Sequence, residues 1–249
     1  MTNIVICGAN GRMGHIIYNC VNERDDCKVI GGLDLNTESY ADFPIFKNPK
    51  EMTVKPDVII DYSHPSTLDS LLEYSLLTGT PVVLATTGYS DEQVEKIKKS
   101  ADKIPVFFSW NMSLGINLLV ELAKKATALL GGQFDIEIVE KHHNQKIDAP
   151  SGTALMLANA INETLDNTQQ YVYDRHSQLK KRDKNEIGIH SVRGGTIVGE
   201  HEIIFAGHDE IVTLSHSATS KGIFAVGSIN AAVFMKGKSA GLYDMSNII

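Results

Sequence analysis

Short apolar runs alternate with amphipathic stretches through the first half of the chain. Residues 3–8, 28–34, 58–61, 81–85 and 106–109 read as strands, and residues 11–24, 66–77 and 90–100 as helices between them. Strands that are apolar throughout are buried on both faces, and their alternation with helices marks βαβ units and a parallel sheet. The short run at 44–46 and the stretch 47–56 are left unassigned.

The rhythm changes after Ser109. A long helix is expected over 115–130, ending at Gly131-Gly132, where glycine takes the left-handed cap. A strand at 135–141, a histidine-rich connection and a helix over 152–164 follow. Residues 166–186 carry nine Lys, Arg, Asp or Glu and read as a solvated loop or lid. Three strand-like runs come next, at 187–193, 197–206 and 211–217, separated by Gly194-Gly195 and Gly207-His208-Asp209. That pattern predicts consecutive antiparallel pairs. Residues 223–234 predict an apolar helix returning to the first sheet. The expected architecture is α/β, a Rossmann-type doubly wound parallel sheet with a smaller α+β domain inserted before its last helix. The expected boundaries are 1–112 with 222–249 for a dinucleotide-binding domain and 113–221 for a substrate-binding domain, with hinges at 111–114 and 220–222.

Composition narrows the function. The 249 residues carry a net charge of −7, and the densest basic run, Lys180-Lys181-Arg182, is diluted at once by Asp183 and Glu186. Nucleic acid needs a basic face, so it is not an expected partner. Cys7, Cys20 and Cys27 show no Cys-x-x-Cys spacing, and an odd number without a framework argues against a secreted disulfide scaffold. No apolar run approaches the ~20 residues that span a bilayer. With an apolar strand under way by Ile4 and no basic leader ahead of it, a cytoplasmic location and no membrane partner are expected.

Two stretches carry candidate chemistry. Gly8, Gly11 and Gly14 follow the first strand and open a helix, where backbone N–H groups and the helix dipole suit a phosphate. The spacing is Gly-x-x-Gly-x-x-Gly, with Asn10 where the commoner pattern has its second glycine; Asn tolerates left-handed backbone better than most residues. Asp34 closes the second strand, where an acid grips adenosine ribose hydroxyls. Leu35 beside it supplies no guanidinium for a 2′-phosphate, so NADH is expected in preference to NADPH, with Lys28 and Arg12 the cations left to serve a phosphate. Ala85-Thr86-Thr87-Gly88 and Ser109-Trp110-Asn111-Met112 follow later strands and are candidates for the nicotinamide side.

The second stretch is residues 140–154. His142 and His143 point in opposite directions in extended backbone, so one can serve as proton donor while the other anchors ligand or fold. Lys146 adds a charge suited to a carboxylate or a C=N bond. Asp148-Ala149-Pro150 resists helix, because the residue before proline avoids the α region. Ser151 reads as an N-cap, leaving N–H groups around Gly152 and Thr153 for an anion. A substrate with two carboxylates can use both Lys146 and this helix start. No metal is expected, since no His-Glu-x-x-His or Cys/His cluster occurs. Ser151 lacks a nucleophile elbow, and no tyrosine lies four residues before a lysine.

These residues resemble the 4-hydroxy-tetrahydrodipicolinate (dihydrodipicolinate) reductase family of the diaminopimelate route to lysine. The shared runs are Gly-Ala-Asn-Gly-Arg-Met-Gly, Thr-Thr-Gly and Glu-x-His-His-x-x-Lys-x-Asp-Ala-Pro-Ser-Gly-Thr-Ala. Val192-Arg193-Gly194-Gly195, Val198-Gly199-Glu200-His201-Glu202 and Gly241-Leu-Tyr-Asp-Met match too, so the likeness covers essentially the full length. The resemblance implies His142 as proton donor/acceptor, Lys146 as a proton donor that engages substrate, and His143, Gly152 and Thr153 as substrate contacts. It implies cofactor contacts at Gly8, Ala9, Asn10, Gly11, Arg12, Met13, Asp34, Ala85, Thr86, Thr87, Ser109, Trp110, Asn111 and Met112. The family usually has Gly where this chain has Ala85, and many members carry Arg where it has Leu35. Further implications are a homotetramer joined through the inserted sheet and a small cyclic dicarboxylate substrate, reduced by hydride from NAD(P)H with loss of water. Two rivals stand beside this reading: a related amino- or imino-acid dehydrogenase such as an aspartate dehydrogenase, and a non-catalytic NAD-binding sensor, which has no need of the His/Lys run.

Overall fold

The computed structural model describes residues 1–249, which divide into two units, Met1–Leu114 with Gly222–Ile249, and Gly115–Lys221. In chain order the elements begin β1 (Thr2–Cys7), α1 (Arg12–Asn22), β2 (Cys27–Leu33), β3 (Ile45–Phe46), β4 (Val58–Asp61), α2 (Leu68–Thr78), β5 (Val82–Leu84), α3 (Asp91–Ala101) and β6 (Pro105–Phe108). They continue as α4 (Leu114–Leu130), β7 (Asp135–His142), α5 (Gly152–Thr164), β8 (Gln170–Val172), β9 (Glu186–Arg193), β10 (Gly199–Ala206), β11 (Ile211–Ala218), α6 (Gly222–Met235) and β12 (Gly241–Tyr243).

In the first unit seven strands form one sheet in the order β12-β6-β5-β4-β1-β2-β3, all parallel. Alternate side chains of each strand go to opposite faces, and both faces are covered. Ile4, Ile6, Val58 and Ile60 pack with Ile17 and Val21 of α1 and Ile229 and Met235 of α6. Val5, Cys7, Ile59 and Val82 pack with Leu68, Leu71 and Leu72 of α2 and Ile97 of α3. Burying each such Leu or Ile contributes ~1.5–3 kcal/mol, so two full faces explain why these strands read as continuous apolar runs. The unassigned run at 44–46 supplies β3, which pairs with Gly32 and Leu33. The edge strand β12 went unpredicted; three residues with one apolar side chain give no periodic signal. The direction of strand succession reverses between β1 and β4, which places the ligand crevice of such a sheet at their C-terminal ends.

The second unit has a five-stranded sheet in the order β11-β10-β7-β9-β8. Here the prediction of consecutive antiparallel pairs fails in part. β10 and β11 do form an antiparallel hairpin, but β9 does not pair with β10; it runs parallel to β7 on the opposite side. The physical reason lies in the segment 194–198. Its turn at 194–197 closes no hairpin; the segment passes the end of β7, where Gly194 N–H donates to His142 O (2.9 Å) and Gly195 O accepts from Asn144 N–H (3.2 Å). The parallel pairing of β7 with β9 is made possible by the crossover through α5. Residues 166–186 are likewise more than a solvated loop. β8 pairs with β9, and Arg175 and Arg182 both reach Glu137, at 2.7 and 3.0 Å. One face of the sheet is covered by α4 and α5, with Leu119, Ala123, Leu157 and Ile161 against Ile136, Ile138, Ile189, Ile203 and Phe205.

Candidate functional site

In the first unit the glycine turn is built by close backbone approach. Gly8 has φ +80°, and a Cβ there would stand 2.7 Å from Tyr62 O; at Gly14 it would stand 2.4 and 2.3 Å from the Gly8 and Ala9 carbonyl oxygens. Only glycine lets the chain fold this tightly. Gly11 is the N-cap of α1 and has no side chain to cap it, nor does an acid stand in the first turn. The helix start therefore keeps its positive end for an incoming anion.

Asp34 lies directly after β2, as expected. Its carboxylate accepts from the N–H of Asn10 (2.9 Å) and of Asn36 (3.1 Å), while the Asn10 amide donates to Asn36 O (2.7 Å) and Glu38 O (3.1 Å). Asn10, standing where glycine is commoner, thus ties the turn to the segment after β2. Leu35 is 84% exposed. Arg12 is exposed, Met13 half-buried and Ala9 fully buried.

Thr86 and Thr87 part company. Thr87 is exposed, whereas Thr86 is buried and donates its hydroxyl to Asp61 Oδ2 (2.9 Å). Asp61 is a fully buried carboxylate at the end of β4 that also accepts from Tyr89 OH (3.0 Å) and from Ser63 N–H (3.1 Å) and Oγ (2.5 Å). Burial and this carboxylate push the Cys7 thiol well up. Sequence reasoning missed Asp61, although an acid closing an otherwise apolar strand was the available signal. Ala85 is half-buried and donates its N–H to Asp61 O (3.0 Å). Along the Ser109–Met112 run, Ser109 Oγ donates to Asn111 O (3.1 Å) and Trp110 is 67% exposed. Asn111 Oδ1 accepts from Ser113 N–H (2.9 Å), and the Met112 side chain is buried in the core.

In the second unit the alternation of β7 puts Ile136, Ile138, Glu140 and His142 on the helix-covered face, and Glu140 is fully buried. Its carboxylate is held from four sides. Arg193 donates through Nη1 to Oε2 (2.8 Å) and through Nη2 to Oε1 (2.7 Å). Ser151 N–H donates to Oε1 (3.1 Å), His142 Nδ1 lies 2.5 Å from Oε2, and Ser191 adds a side-chain bond. Burial alone would raise this carboxyl, but the hydrogen bonds from Arg193, Ser191 and His142 outweigh it and hold it at about 2.

Ser151 caps α5 as predicted, accepting from Ala154 N–H (3.2 Å). Its hydroxyl also meets His201 Nε2 (3.2 Å), and the His201 ring stands edge-on to that of His142 at 5.2 Å. Burial, with His142 beside it, lowers His201 to about 4. Lys146 is paired with Asp148 at 2.8 Å, and Arg193 donates to Asp148 O (2.7 Å). His143 and Thr153 are half-buried and Gly152 is exposed, with nothing near its missing Cβ. The structure therefore brings His142, Lys146 and the α5 start into one bonded network. Glu140 and Arg193, its hubs, went unassigned in the sequence. Glu140 was findable from its two-residue offset to His142; Arg193 enters only through strand register.

Strand order, glycine turn and acid together give the fold of Rossmann-type nucleotide-binding proteins. More narrowly, the chain belongs to the dihydrodipicolinate reductase family: residues 2–112 match the family's N-terminal description and residues 115–249 its C-terminal one. It is 48% identical to the 4-hydroxy-tetrahydrodipicolinate reductase of Clostridium novyi, over 100% of this chain and 98% of the relative. It is 47% identical to that of Caldanaerobacter subterraneus subsp. tengcongensis, with the same coverage. Among solved structures it is similar to dihydrodipicolinate reductase from Paenisporosarcina sp. TG-14, solved with dipicolinate bound, with TM-score 0.82, 29% identity and 100% of both chains covered. No helix is long and apolar enough to cross a membrane.

Proposed function

We propose that this chain reduces 4-hydroxy-tetrahydrodipicolinate to tetrahydrodipicolinate, with loss of water, at the expense of NAD(P)H. The observation that carries the reading is the single network linking His142, Lys146 and the N-terminus of α5 through Glu140, Arg193 and Asp148. Dehydrogenases acting on other amino or imino acids, and a silent sensor, leave this network and the full-length family match without an account.

The first unit serves as the dinucleotide-binding domain. The turn from Gly8 to Met13 receives the pyrophosphate, and Asp34 takes the adenosine ribose, with Ala85, Thr86, Thr87 and residues Ser109, Trp110, Asn111 and Met112 nearer the nicotinamide. Thr86 and Met112 have their side chains committed inward, so their part is played by backbone. Asp34 beside an exposed Leu35 favours NADH, because a 2′-phosphate meets a carboxylate and Leu35 offers it no charge in return.

The second unit serves as the substrate domain. When bound, a reduced nicotinamide supplies the hydride. Lys146 takes one carboxylate of the ring and His143, Gly152 and Thr153 the other, the latter at the positive end of α5. His142 delivers the proton that complements the hydride, and Lys146 assists it. The uncovered face of the second sheet, which carries Val139, Ile204, Val192 and Ile211 among its ion pairs, is the surface through which four copies assemble.

The test follows NADH oxidation on the condensation product of pyruvate and aspartate semialdehyde. Lys146→Ala should weaken substrate affinity and turnover together, and His142→Ala should lower mostly kcat, by roughly 10²-fold or more. Near-normal turnover in the Lys146 variant rejects its role, and an effect of His142→Ala confined to KM moves that residue to binding. Sedimentation of the intact protein as anything but a tetramer rejects the assembly.

A further inference from the structure

The proton step asks more of His142 than a place near substrate. A neutral imidazole holds its single proton on one nitrogen or the other, and only one nitrogen can face a ligand. The tautomer is set by whatever the other nitrogen touches. In this protein Nδ1 lies 2.5 Å from Glu140 Oε2, and Glu140 is an anion with no exposed surface. An ionised carboxylate only accepts, so the proton of the neutral ring resides on Nδ1. Nε2 is then left for exchange with a bound molecule. A second feature agrees: a Cβ on Gly199, its neighbour on β10, would stand 3.1 Å from Nε2, so the absent side chain keeps room beside that atom.

We infer that Glu140 is a positioning residue for the reduction: it fixes the ring and tautomer of His142, so that proton exchange with the substrate runs through Nε2. The inference rests on the proton-donor reading of His142. Arg193 completes the device. By binding both carboxylate oxygens it locks the direction in which Glu140 points. His201 on β10 stands edge-on to the His142 ring at 5.2 Å and, lowered to about 4 by its burial, is neutral near pH 7. Ser151 links this device to the anion site, since its N–H binds Glu140 and its hydroxyl caps α5.

The test compares Glu140→Gln with the parent enzyme. Glutamine keeps the shape and removes the charge, so kcat should fall by on the order of 10²-fold. KM for NADH should stay unchanged. Arg193→Gln, which frees the direction of Glu140, should likewise lower kcat with KM for NADH unchanged. Independently of any variant, ¹⁵N NMR of the neutral His142 ring in the parent protein should show the Nδ1–H tautomer. An Nε2–H tautomer, or Glu140→Gln with kcat within about twofold, overturns the inference, provided His142→Ala is severely impaired in the same assay. If His142→Ala is itself nearly normal, the proton-donor reading falls first.

Discussion

At the end of β1 the candidate site is made of backbone, and what matters is which side chains are missing; at the end of β7 it is made of side chains, and what matters is how they hold one another. The first sheet is apolar on both faces, so it leaves no room for polar groups except where strands end. There the chain uses glycine to bring N–H groups forward. The second sheet is covered by helices on one face only, and that face carries Glu140, His142 and His201 beyond its apolar part. The two constructions should fail differently: the first when an atom is added, the second when a charge is removed.

Four substitutions sharpen that contrast. The largest effect is expected for Gly14→Ala, whose methyl meets two carbonyl oxygens; the fold should lose about 3 kcal/mol in urea melts and NADH affinity should drop more than tenfold. Gly152→Ala, with nothing near its Cβ, should leave the melt within ~0.5 kcal/mol and act only on substrate KM. Equal destabilisation by both would erase the distinction.

Next comes acid. His201 titrates at about 4 in the folded protein against 6.5 unfolded, so between these values the unfolded chain binds more protons. Stability is therefore lost as pH falls from 6.5 towards 4, by on the order of 2 kcal/mol. Glu140, held at about 2 against 4.5, extends the loss below that window, its stabilisation being present above 4.5 and gone below 2. His201→Gln should flatten the upper part of the slope in urea midpoints measured from pH 6.5 to 4.5; an unchanged slope assigns it to other groups. The smallest effect is expected for Leu35→Arg, which should shift the NADPH/NADH ratio of kcat/KM towards NADPH about tenfold without altering the melt. An unchanged ratio would remove Leu35 from the adenosine end.

What was readable in the sequence follows the same division. The first sheet's central strands and glycine turn are local patterns, and the runs at 3–8 and 58–61 correspond to β1 and β4 within a residue or so. The second sheet is non-local. Inserting β7 between β9 and β10 depends on where residues 194–198 cross, and Gly194-Gly195 looks like any hairpin turn. Arg193 is 53 residues from Glu140 and meets it only because β9 lies against β7. Asp61 was visible as an acid closing an apolar strand, but its partners were not: Thr86 and Tyr89 arrive from the segment after the neighbouring strand β5.

The ion pair of Lys146 with Asp148 sets a rule for whatever docks there. An ammonium already neutralised gains little from a single incoming anion, because one partnership is merely swapped for another and Asp148, 58% exposed, returns to water. Net attraction must come from whatever else the guest touches. If Lys146 takes a substrate carboxylate as proposed, a molecule bearing one negative group should gain little there, whereas one whose second group reaches the start of α5 should be held, so the resident carboxylate would act as a discriminating doorkeeper.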